Sequence, residues 1–127
     1  MSSEKFSLKS RIKSFRFAFN GLLLLFKNEH NARIHLFAAF TASVMGFILK
    51  INTHEWCLLF IVIGLVFITE LINTSLESLA DIIKPERDER IMKIKDYSAA
   101  AVLISALISI IAGGLIFIPK LVALISP

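Results

Sequence analysis

Apolar residues recur at helical spacing near the start of the chain. Between residues 5 and 27, Ile12, Phe15, Phe19, Leu22 and Phe26 share one face, opposite Lys9, Lys13, Arg16, Asn20 and Lys27. This pattern predicts a basic amphipathic helix suited to lying on an anionic lipid surface. A signal peptide is excluded: the charge is spread through the segment, the LLLLF run is short, and no small-residue cleavage site follows. Beyond it the apolar positions cease to be one-sided, and three spans are expected at about 33–51, 55–84 and 96–119. The first, Ile34 to Ile51, has an uncharged core of only fourteen residues, short of the roughly 20 that a crossing needs. Lys50 snorkels at one end, and Arg33 and His35 sit at the other interface. The second opens on Trp56, an interfacial residue type, runs uncharged to Thr69, and continues as a helix past the membrane until Pro85 ends it. The third, Tyr97 to Pro119, is free of charge and rich in Ala and Gly for close helix packing.

Polar residues break this pattern most informatively between Glu70 and Asp96. On a helix, Glu70, Asn73, Glu77 and Asp81 fall at i, i+3, i+7 and i+11, which is one stripe. Acids sharing a face beside hydrocarbon repel one another and lose solvation. A hard divalent cation such as Mg2+ offsets both costs, because it takes carboxylate oxygens and completes its shell with phosphate. A solvated outer face is the plainer alternative, and it suits Asp81 better than Glu70, which adjoins fourteen uncharged residues.

Composition agrees with a membrane protein of one domain, 1–127. The 127 residues are 56% hydrophobic, with mean hydropathy +0.74, beyond ordinary soluble domains. The single cysteine, Cys57, excludes an internal disulfide and a multi-cysteine metal site. Of the fourteen Lys and Arg, seven precede the first span and five lie between the second and third. The positive-inside rule then puts the N-terminus and the 84–96 loop in the cytoplasm and the C-terminus outside. Glu70 falls about 20 Å below Trp56, near the cytoplasmic interface.

No GxxxxGK[ST], GxGxxG, HExxH or GxSxG motif is present. His30 and His35 diverge on a helix, and His54 lies across the membrane, so a histidine metal site is not expected. What remains is Glu29 at the entry to the first span, the acidic stripe, and Lys95-Asp96 opening the third. Two carboxylates from different helices can hold one metal, Lys95 can meet phosphate as a point charge, and Glu70 can take a proton from an alcohol delivered through the lipid. A metal-bound nucleotide on the water side and a hydroxyl on the lipid side describe phosphoryl transfer at an interface.

The motifs NE-x3-RIH at 28–35, E-x2-N-T-x2-E-x3-D at 70–81 and KD-x4-AVLI at 95–104 resemble those of the small prokaryotic diacylglycerol kinases, which include undecaprenol kinases. The likeness runs from about residue 10 to 120. It implies an all-α membrane enzyme, an N-terminal surface helix plus three transmembrane helices, assembled as a homotrimer with shared active sites in the bacterial inner membrane. It implies transfer of the ATP γ-phosphate with Mg2+ to a lipid alcohol, diacylglycerol first and undecaprenol as the alternative, with no nucleic-acid partner. By that likeness Glu70 is the general base and Glu29 and Glu77 hold the metal. Phe17, Glu29, Glu77, Glu86, Arg87, Asp88, Lys95 and Asp96 line the nucleotide site. Asn31, Ala32, Arg33, Ile34 and His35, with Glu70 and Ala99, border the lipid, and Asn73 and Asp81 support. The chain departs from the family's best-known members at Ser10, Phe17 and Asp88, where they carry arginine, tyrosine and histidine. His35 replaces an acid of the enteric enzymes. Two other classes compete with the kinase: a small proton-coupled exporter, which explains Glu70 but not the gathering of Glu29, Glu77 and Lys95-Asp96, and a non-catalytic membrane subunit.

Overall fold

The computed structural model describes residues 5–126, and all regular structure there is helical. The order is α1 (Leu8–Asn28), α2 (His30–Ile48), α3 (Thr53–Ile83) and α4 (Glu89–Ile125). The all-α expectation holds. α3 and α4 are long and apolar enough to cross a membrane. α2 does not reach the same apolarity, because His30, Asn31, Arg33 and His35 occupy its first two turns. Its 19 residues measure about 28 Å, close to a hydrocarbon core of about 30 Å.

Local chemistry sets the helix ends. Ser7 accepts from the Ser10 amide and caps α1. α2 closes through Lys50, at φ 53, with Ile51 N–H donating to the Gly46 carbonyl at 3.1 Å and Lys50 N–H to that of Phe47 at 3.4 Å. That is a Schellman closure with lysine where glycine is usual. Asn52 and Glu55 exchange side-chain and backbone hydrogen bonds, both 2.9 Å, in a capping box that starts α3. α3 ends at Ile83, just ahead of Pro85.

α4 is longer than the third span expected at 96–119. It starts at Glu89 because Asp88 caps it, accepting from the Arg90 amide at 2.8 Å. The expected charged loop therefore shrinks to residues 84–88. At the other end Pro119 is carried inside the helix, where the missing N–H loosens a turn without stopping it.

α3 and α4 form the main packed pair and run antiparallel, linked at four depths. Lys120 Nζ lies 3.2 Å from Glu55 Oε2, Thr69 Oγ1 is 2.8 Å from Ser105 Oγ, Ser98 Oγ donates to Asn73 Oδ1 at 2.7 Å, and Lys95 Nζ pairs with Asp81. Polar side chains between spanning helices substitute for the hydrophobic drive that lipid does not supply. The apolar core lies at the Glu55 end, where Ile51, Leu59, Ile116 and Phe117 meet Met45 and Trp56. There a Cβ on Gly46 would stand 2.8 Å from the Trp56 ring, so glycine permits the approach of α2 to α3. Large apolar side chains are exposed along all four helices, a surface that water would not tolerate and lipid or another subunit would.

Candidate active site

α1 and α2 meet at an elbow of one residue. Glu29 is extended (φ −103, ψ 115) and serves as the last cap of α1 and the first of α2. Arg33 fixes the elbow: its Nε donates to the Phe26 carbonyl at 2.8 Å and its Nη2 to that of Lys27, satisfying carbonyls left open at the end of α1. Phe26 then meets Phe67 of α3 edge-on, with ring centroids 5.6 Å apart. This contact brings the elbow beside the middle of α3.

Glu70 lies at that junction, only 2% exposed. The His35 ring approaches from α2, with Nε2 3.2 Å from Glu70 Oε1. The approach is off the line of a hydrogen bond, so Oε1 has no hydrogen-bond partner among the described residues. The buried hydroxyl of Thr74, one turn along α3, has none either. Besides His35, the charges that act on Glu70 are those of Glu29 and Glu77. Glu29 makes no capping hydrogen bond with its side chain, so its carboxylate is free for another ligand. Among the described residues no group of three or more metal-binding side chains assembles.

The remaining sequence-derived candidates separate into those drawn together and those not. The stripe divides between two neighbours. Glu70 faces α2, whereas Asn73 and Asp81 turn to α4, where Ser98 and Lys95 take them. The stripe spans a wide enough angle for α2 and α4 to share it. Asn73 thus makes its hydrogen bond with Ser98, not with Glu70. Asp88 carries the cap of α4, and its carboxyl is held well below the usual carboxylate range by Arg90 and then by Lys84, whose Nζ lies 2.7 Å away. Glu86, Arg87 and Asp96 are exposed at the α3–α4 turn and just beyond it, and Phe17 is 72% exposed on α1. Of the lipid-border group, Ala32 is wholly buried and His35 half-buried, while Asn31, Arg33, Ile34 and Ala99 are exposed.

Sequence reasoning missed Ser98 and Ser105, both buried, as the α4 partners of Asn73 and Thr69. A signal was present: they are polar residues seven apart inside an apolar run, hence on one face. It also missed Arg33 as the clamp on α1 and His35 as the neighbour of Glu70.

An open groove of about 400 Å³ leads away from His35 between α2, α3 and α4. Ala38, Ala42, Val62, Val66 and Gly113 are among its walls, which are almost wholly apolar. A buried acid in contact with His35 therefore stands near one end of an apolar groove.

Comparison with known proteins gives this arrangement its context. The family model described as prokaryotic diacylglycerol kinase matches residues 16–117. An undecaprenol kinase of Bacillus subtilis (strain 168) is 38% identical over 109 residues, covering 86% of this chain and 89% of the relative. A diacylglycerol kinase of Synechocystis is 35% identical over 112 residues, 87% of this chain and 64% of the relative. A diacylglycerol kinase of Escherichia coli (strain K12) is 31% identical over 100 residues, 79% and 82% of the respective chains. With most of its length matched in this way, the chain belongs to the prokaryotic diacylglycerol kinase family and is a lipid kinase.

Proposed function

We propose that the protein transfers the γ-phosphoryl group of ATP to the hydroxyl of a lipid alcohol at the cytoplasmic face of the membrane, with Glu70 as the general base. ATP as donor is what a kinase of this family implies. The observation that carries the reading is Glu70 itself, a buried carboxylate with an unpartnered oxygen, on which the charges of Glu29 and Glu77 act. An acceptor hydroxyl supplies the missing hydrogen bond, and Thr74 Oγ1 offers it a second contact. Taking that proton as the oxygen attacks phosphorus makes the alcohol a competent nucleophile.

Glu29 and Glu77 suit Mg2+. They come from different elements, the Glu29 carboxylate is free of capping bonds, and one or two carboxylates with phosphate oxygens make the usual Mg2+ shell. The ion supplies charge neutralisation at the β- and γ-phosphates. Lys95 leaves Asp81 for phosphate, and Glu86, Arg87, Asp88 and Asp96 border the nucleotide, with Phe17 stacking against it. Asn31 to His35 and Ala99 border the lipid, whose chain follows the apolar groove. Asn73 and Asp81 act as supports, Asn73 by holding α4 through Ser98 and Asp81 by holding Lys95 until phosphate takes it.

The basic face of α1 rests on the cytoplasmic leaflet of the bacterial inner membrane, α2 crosses with α3 and α4, and the C-terminus lies outside. The unburied apolar surface supports a homotrimer, although the single chain already shields Glu70. Diacylglycerol is the acceptor expected from the family. Undecaprenol is the second reading, favoured by RIH at 33–35 and by the 38% identity to a protein named for that activity. Label transfer from Mg-ATP in mixed micelles holding either lipid tests the proposal. Labelled lipid that disappears in Glu70→Gln is expected and names the acceptor; no label in either lipid from folded protein would overturn it.

A further inference from the structure

A base that takes a proton in every turnover must also lose it. Glu70 is badly placed to do so alone, since its side chain is only 3% exposed and water cannot reach it directly. His35 is the ionisable group in contact, with Nε2 3.2 Å from Oε1 and a ring 24% exposed, so one edge meets the carboxyl and another meets the surroundings. The other titratable groups acting on Glu70 are Glu29 at the α1–α2 elbow and Glu77 on α3, and none acts on it from α4. Both acids are committed to the cation in the reading above, which leaves His35. The poor alignment of Nε2 with Oε1 does not count against it, because catalytic hydrogen bonds commonly tighten only when substrate is bound.

We infer that His35 is the proton-accepting partner of Glu70: it takes the proton from the neutral Glu70 carboxyl after transfer and carries it out of the buried site. The inference rests on the lipid-kinase reading with Glu70 as base. The acceptor O–H bond breaks and its proton goes to Glu70. The acceptor oxygen bonds to the γ-phosphorus, and the bond from that phosphorus to the bridging oxygen breaks, releasing ADP. The neutral Glu70 carboxyl gives its proton to the unprotonated Nε2 of His35, and the imidazolium returns it to water from its exposed edge. Charge and protons balance, and both residues are reset. This role differs from contact with the lipid alone, which would alter lipid affinity and leave turnover intact.

The test is steady-state kinetics in mixed micelles for wild type, His35→Gln, His35→Ala with and without added imidazole, and Glu70→Gln, with unfolding midpoints alongside. His35→Gln keeps a polar contact but cannot relay. It is expected to retain both KM values and lose kcat by about 100-fold, the low end of the range for proton-transfer groups. His35→Ala loses as much and recovers several-fold with imidazole, whereas Glu70→Gln is not rescued. Full turnover in His35→Gln, a loss in His35→Ala confined to lipid KM, an absence of imidazole rescue, or a fall in kcat matched by unfolding would each overturn the inference. A wild type that labels no lipid would instead sink the kinase reading. Active wild type with dead Glu70→Gln and unaffected His35 variants would sink this inference alone.

Discussion

The Ser98 hydroxyl donates to Asn73 Oδ1 at 2.7 Å and so ties α4 to the helix that carries Glu70, one turn from Glu70 itself. Both partners lie where hydrocarbon or packed helix replaces water. Hydrogen bonds between spanning helices contribute about 0.6 kcal/mol on average and up to about 1.7. Ser98→Ala is therefore expected to lower the unfolding free energy in detergent by about 1 kcal/mol, with a smaller loss of turnover than Glu70→Gln. Thermal unfolding monitored by circular dichroism, with kinetics on the same samples, checks both halves.

At the far end of α2, Lys50 holds a left-handed backbone at φ 53 that costs an ordinary residue about 1–2 kcal/mol. Lys50→Gly should raise stability by about 1 kcal/mol. Gly46→Val should do the reverse, because its Cβ alone would meet the Trp56 ring at 2.8 Å. Unfolding midpoints that moved in the same direction for both variants would contradict this account of the α2–α3 turn.

The cap of α4 makes a prediction in pH. Arg90 and Lys84 hold the Asp88 carboxyl far below its usual value of 3.8. A carboxylate whose folded value is depressed stabilises fully above its unfolded value and loses that stabilisation as pH falls through the folded one. Asp88→Asn keeps a capping oxygen and removes the charge. Its stability deficit should stay constant from about pH 5 to 8 and narrow below about pH 4. A deficit that widened on acidification would be inconsistent with the ion pairs seen around Asp88.

Glu77 and Glu70 should fail differently. Glu77→Gln removes a proposed cation ligand, so the Mg2+ dependence and the KM for Mg-ATP should rise as kcat falls. Magnesium titrations of wild type and variant measure this. A proton-coupled exporter predicts that Glu77→Gln is mild, and unchanged Mg2+ dependence would favour that alternative.

What the sequence made legible follows from how far apart the interacting residues lie. The helices were readable because each apolar run is local, and the desolvation of Glu70 was readable because fourteen uncharged residues precede it. The Asn52–Glu55 box and the Asp88 cap span three residues or fewer, yet charge density around residues 84–96 masks the cap, so the apolar pattern alone begins the third span at 96 while Asp88 begins α4 at Glu89. Contacts between helices were harder. His35 meets Glu70 and Ser98 meets Asn73 across dozens of residues, and helical period assigns a face without naming what packs on it. The acidic stripe shows the consequence: one line on α3 proved to be shared by α2 and α4.

The most direct test of the central claim is the turnover of Glu70→Gln with Mg-ATP affinity measured in parallel. The account predicts that kcat for lipid labelling falls by about 100- to 10,000-fold, the range for a positioned general base, while nucleotide affinity and the unfolding midpoint hold. A Glu70→Gln enzyme that kept a tenth or more of wild-type turnover would remove Glu70 from the chemistry and with it the reading of this site.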